Sequence, residues 1–162
     1  MYLLKAYDTM SNAGYKASLA DFKKALALLA KDEVRQDYYA CALNDKALVL
    51  CFLDKAKAAL ELIDQALAIS DRSTRKLILA NRGSILVLAG AYEEALQTLT
   101  AQLMEDPEDE NLRLTQATCL LHMERYEEAI AAYEKASAKG DRWADEGLRT
   151  ARLGKQPDWD AL

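Results

Sequence analysis

Small and large apolar residues recur along this chain at fixed intervals, separated by short polar turns. Gly90-Ala91-Tyr92-Glu93-Glu94-Ala95 is echoed 34 residues later by Glu124-Arg125-Tyr126-Glu127-Glu128-Ala129. The register extends in both directions: Gly83 pairs with Ala117, Leu86 with Leu120, and Leu99 with Tyr133. A third copy lies 36 residues upstream, with Ala47, Leu50, Ala59 and Ile63 in the same columns and Ala66 matching Ala136. The two extra residues are assigned to a loop in the polar stretch Ser70-Asp71-Arg72-Ser73-Thr74, where insertion costs little.

The columns have a physical reading. A small residue in the first helix of each copy (Ala47, Gly83, Ala117) lets a partner helix come close. A second small residue (Ala59, Ala95, Ala129) early in the next helix meets the demand of a tight antiparallel crossing. One turn on, Ile63, Leu99 and Tyr133 fill the space between successive helix pairs. Asp106-Pro107 ends one second helix, because proline cannot continue it and disfavours helix in the residue before. A hairpin alone leaves its faces uncovered, so the copies must stack.

A 34-residue helix-turn-helix period, a small residue in the first helix, the Gly-x-Tyr-x-x-Ala turn and a closing Asp-Pro resemble the tetratricopeptide repeat family. The resemblance implies an all-α fold, with helix-turn-helix repeats stacked as a right-handed α-solenoid. Repeats are expected at 40–75, 76–109 and 110–143, preceded by a degenerate helical hairpin at 1–39 and followed by a capping helix and tail at 144–162. In the N-terminal hairpin, Met1 to Met10 is read as helix and Ser11-Asn12-Ala13-Gly14 as a long connection. Ala20-Asp21-Phe22-Lys23-Lys24-Ala25 followed by Leu29 repeats the turn-and-second-helix pattern. Ala144, Leu148 and Ala151 share one face of the cap, which Gly154 stops. The copies depart from the family where a bulky aromatic is usual (Leu43, Leu79, Arg113) and where leucine is usual three residues later (Lys46, Arg82, Gln116).

Composition supports helix throughout. The 162 residues include 29 Ala and 27 Leu but only 8 Val and Ile, 6 Gly and 2 Pro, too few strand and turn formers for a sheet. Charge-free stretches reach only about ten residues, as from Ala95 to Met104, whereas a membrane-spanning helix needs about twenty. A net charge of −5 argues against nucleic acid, which wants clustered Lys and Arg. Met1-Tyr2-Leu3-Leu4-Lys5 meets charge too early for a signal peptide, and three cysteines without CxxC spacing suit a reducing compartment, so a cytoplasmic protein is expected. A single histidine leaves no multi-histidine metal site, and neither a metal nor a cofactor is expected.

The family resemblance places the inner wall of the solenoid on the first helices. The peptide-binding positions it implies are Asn44, Leu48, Cys51, Phe52, Leu77, Ala80, Asn81, Ser84, Val87, Leu88, Asn111, Leu114, Thr115, Thr118, Leu121 and His122. One half of this wall is polar and uncharged, suited to an extended peptide backbone, and the other is apolar, suited to large side chains or one face of a helix. The alternative is that the protein's own N-terminal segment or a second chain covers some of these positions. Members that grip acidic chaperone tails present Lys or Arg where Asn44, Asn111 and Thr115 stand here, and of their pattern only Asn81 matches. The expected role is therefore a protein-protein interaction module with an unidentified peptide or protein partner.

Two rivals stand beside it. Size, acidity and a three-repeat layout are similar to the chaperones of bacterial secretion translocators, which would imply a dedicated client and a homodimer formed through the N-terminal segment. A thiol enzyme is the other: Cys119 and His122 lie three apart on one helix, the spacing of an imidazole-activated thiolate. A small buried cysteine beside a wall-lining histidine is the simpler reading. Glu93-Glu94 and Glu127-Glu128 at helix starts follow from the helix dipole. The acidic run from Glu105 to Glu110 lacks the spacing of a calcium loop. Trp159, between two aspartates, is read as part of a tail that docks on the cap or on a neighbouring chain.

Overall fold

The computed structural model describes residues 12–30, 36–136 and 142–154. The segments read as Met1–Met10 helix and as the Trp159 tail lie outside them. Among the described residues there are eight helices and no strand: α1 (Asn12–Leu29), α2 (Gln36–Phe52), α3 (Ala56–Ile69), α4 (Arg72–Leu88), α5 (Tyr92–Glu105), α6 (Glu110–His122), α7 (Tyr126–Ala136) and α8 (Arg142–Leu153). The chain divides into two compact units between Ala89 and Gly90, within the span assigned to the middle repeat.

In the first unit α2 and α3 form a hairpin, α4 packs against both, and α1 packs against α2. Its core joins Ala47, Leu50, Ala59, Ile63 and Ala66, the repeat columns, to Leu26 of α1 and Ile78 and Ile85 of α4. In the second unit α6 and α7 form the hairpin, α5 packs against α6, and α8 against α7 and α6. Ala117, Leu120, Ala129, Tyr133 and Ala136 form that core with Ala144 and Ala151 of α8. The columns read from the sequence are thus the buried columns.

The hairpin turns share one geometry. Asp54 (φ +57°) and Glu124 (φ +58°) are left-handed, and Gly90 at the matching position has φ +74°. After α2 the Lys55 amide donates to the Leu50 carbonyl, and after α6 the Arg125 amide donates to Leu120, both at 2.9 Å. These bonds satisfy carbonyls that a helix end leaves open.

Two local expectations are corrected. The polar stretch Ser70–Thr74 is not all loop: Asp71 caps α4 by accepting from the Thr74 amide and hydroxyl, both at 2.7 Å, which draws Arg72, Ser73 and Thr74 into the helix. Nor are Asn12, Ala13 and Gly14 a connection. They open the 18-residue α1, whose buried Tyr15 stacks on Phe52 with ring centroids 5.2 Å apart. That tertiary contact outweighs the poor helix propensity of Asn and Gly.

Polar pairs join each second helix to the helix that follows its hairpin. Arg82 of α4 bonds Asp64 of α3 (3.0 Å), Gln116 of α6 bonds Thr100 of α5 (3.0 Å), and Arg152 of α8 bonds Glu134 of α7 (2.8 Å).

Candidate functional site

In the first unit α3 packs against both α2 and α4, the two helices that hold the expected wall positions from Asn44 to Leu88. Between these two helices Asn81 donates to Asn44 Oδ1 (2.8 Å), and Asn44 donates to Asp45 Oδ1 (3.1 Å). Asn44 and Asn81 are buried and bound to one another, so they are not two free amides facing a ligand. Ser84 donates to the Ala80 carbonyl of its own helix. Leu48 and Val87 are buried, Cys51 and Ala80 half-buried, and Phe52 lies beneath Tyr15, so α1 covers the end of this face. The large side chains that α4 leaves open here are apolar: Leu77 is 54% exposed and Leu88 52%. Tyr38, 63% exposed, lies on one helical stripe with Cys41 and Asp45 and was not among the expected wall positions. An aromatic one turn before Cys41 on an otherwise polar face was the available signal.

The α6 positions in the second unit are mostly enclosed. Leu114, Thr115, Thr118 and Leu121 are buried, Asn111 is exposed, and His122 is half-buried. Thr115 and Thr118 donate back to the carbonyls of Asn111 and Leu114, and Thr118 also meets the Tyr133 hydroxyl at 3.1 Å. Gly147 of α8 makes room for that tyrosine: a Cβ there would sit 2.3 Å from Tyr133 Cζ. Burial pushes the Tyr133 phenol up to about 12.

Cys119 and His122 do not form a reactive pair. The fully buried Cys119 thiol donates to the Tyr92 carbonyl at 3.1 Å, and burial, then the Glu93 charge, pushes it up to about 11. His122 stacks on the Tyr92 ring, centroids 5.2 Å apart and nearly parallel, and burial holds its imidazole below the usual range. The thiol and the imidazole each hold the start of α5, and burial disfavours the charged form of both. Burial likewise pushes Cys51 up to about 12. Cys41 is raised by burial and then by Asp45, Asp37 and Asp71. Among the described residues no group of His, Cys, Asp and Glu could hold a metal ion, and no helix is long and apolar enough to cross a membrane.

Helical hairpins with recurrent close-approach alanines, polar clasps and an exposed apolar face define a helical-repeat scaffold. Residues 86–145 match the tetratricopeptide repeat family. Solved structures agree on the fold. The Sgt2 tetratricopeptide repeat domain from Aspergillus fumigatus aligns with 22% identity and a TM-score of 0.63, over 70% of this chain and 77% of that one. The MamA RS-1 ArsTM double mutant aligns with 18% identity and a TM-score of 0.69, over 87% and 75%. A tetratricopeptide repeat protein from Parabacteroides merdae aligns with 20% identity and a TM-score of 0.66, over 94% of this chain and 59% of that one. At these identities the likeness is one of fold alone. No curated protein matches the chain.

Proposed function

We propose that this protein is a non-enzymatic interaction module that holds a peptide or helix of a protein partner against the open face of α2 and α4. One observation carries the reading: Tyr38, Leu77 and Leu88 are more than half exposed on helices whose remaining apolar side chains are largely enclosed. Leu77 and Leu88, eleven residues apart, share one stripe of α4, and exposed apolar side chains gathered on one face of a folded domain are the usual material of an interaction site. The tetratricopeptide fold supports a binding role, and the buried, protonated Cys119 supports a role without thiol chemistry.

The test compares three forms of the full chain as bait in extracts of the native source, with partners identified by mass spectrometry. Leu77→Glu with Leu88→Glu should abolish specific capture while leaving helicity and melting temperature near the parent's. Leu28→Glu, at a 76% exposed position on α1, should retain it. Equal capture by parent and double variant would remove the α2–α4 face from consideration.

A further inference from the structure

The open face of α2 and α4 also carries a charge that bears on its partner. Tyr38, Cys41 and Asp45 are spaced i, i+3 and i+7, so they form one stripe on α2. The Asn44–Asn81 bond sets the level of α4 beside it, which puts Leu77, one turn before Asn81, alongside this stripe. Asp45 is exposed, and its carboxylate is oriented by the Asn44 amide, which is itself held by Asn81. Among the described residues no cation pairs with Asp45, and partial desolvation raises its pKa. Two arginines of α4 are committed to α3, Arg75 to the Leu67 carbonyl and Arg82 to Asp64. The face therefore combines two large exposed apolar side chains with one fixed, uncompensated carboxylate.

We infer that this face receives a partner segment that sets one Lys or Arg against Asp45 and large apolar side chains against Tyr38 and Leu77. The match is one of complementary charge. A cation reaching Asp45 gains a charge-assisted bond without having to order the carboxylate, since Asn44 already does so. An acidic segment would meet Asp45 with like charge, and a purely apolar one would leave it uncompensated. The inference rests on the binding role proposed above and adds the chemistry of the ligand.

The experiment is selection of a random-peptide phage library on the immobilised full chain, followed by titration of the enriched peptide. Enriched sequences should pair Lys or Arg with Leu, Ile, Phe or Trp. Asp45→Asn should weaken the selected peptide about fivefold and Asp45→Lys about tenfold or more, as for a partly exposed ion pair at an interface. Leu77→Glu should abolish binding. The Asn variant keeps an acceptor for Asn44, so it carries the result if the Lys variant does not fold. Peptides lost on Leu77→Glu but indifferent to Asp45→Asn, or lacking basic residues, overturn the charge selection and leave the binding face standing. Peptides indifferent to Leu77→Glu, or no enrichment, overturn both.

Discussion

Gly147→Ala sets two known effects against each other, and the structure decides between them. In a helix interior alanine is favoured over glycine by about 1 kcal/mol, so propensity alone says that the variant is more stable. The added Cβ would lie 2.3 Å from Tyr133 Cζ, 2.5 Å from Cε1 and 2.6 Å from the hydroxyl. Ordinary contact begins about an ångström further out, so either the ring or α8 must move by that much. The ring has no space to retreat into, because Tyr133 is fully buried and its hydroxyl meets Thr118 at 3.1 Å. Overpacking costs about 1–3 kcal/mol and loss of the hydroxyl pair about 1 kcal/mol more. After subtraction of the propensity gain, the variant should be destabilised by about 2 kcal/mol, a fall in Tm of roughly 5 °C for a chain of this length.

Urea and thermal unfolding of the full chain, followed by circular dichroism, measure this. The Tyr133→Leu background supplies the internal control, since Ile63 and Leu99 occupy the matching column in the other copies. There the clash is gone, and Gly147→Ala should be neutral or stabilising by up to about 1 kcal/mol. A Gly147→Ala variant that melts at or above the parent would show that Tyr133 does not lock the capping helix.

Three other outcomes are expected. Glu124→Gly should stabilise by about 0.5–1 kcal/mol, because Glu124 holds φ +58° where the matching Gly90 carries no side-chain strain; an unchanged urea midpoint would contradict this. Gln102→Leu should stabilise by about 1 kcal/mol, because both polar atoms of the buried Gln102 amide are without a hydrogen-bond partner; a loss of stability would refute that account. Burial depresses the pKa of His122, so its unfolded form takes up the proton first. Its contribution is complete above about pH 6.5 and is lost as pH falls from there through the lower folded value. His122 is the only histidine, so His122→Gln should flatten the dependence of the urea midpoint between about pH 7 and 5, and an unaltered slope would exclude it as the source.

The core was legible because each hairpin repeats the same close approaches. Ala47, Gly83 and Ala117 mark one of them, Ala59, Ala95 and Ala129 another, and all six are buried. The site was legible in direction but not in depth. Helical spacing places Asn44, Leu48, Thr115 and Thr118 toward the wall, yet burial depends on what lies across from them. Tyr15, which covers Phe52, comes from a helix whose start the local sequence disfavours, and Asn44 is satisfied by Asn81, a residue 37 positions away. Gly147 belongs to no repeat column, so nothing in the periodicity singled it out.

The departures from the family pattern have a structural counterpart. Arg82 and Gln116 stand where leucine is usual, and each bonds back to the preceding second helix, to Asp64 and Thr100. Arg113, in place of an aromatic, donates to the Pro107 carbonyl in the turn before it. Arg152 on Glu134 carries the same arrangement into the cap. Partners sixteen to eighteen residues apart, an arginine on a carboxylate at two junctions and an amide on a hydroxyl at the third, leave no apolar signature for a periodic reading to find. At exposed positions each pair contributes less than about 1 kcal/mol, far below what the buried alanine columns supply. Their effect is better sought in register. A junction slipped by one helical turn would keep much of its apolar contact but set Arg82 away from Asp64, so the polar pairs discriminate between packings that the core alone would tolerate.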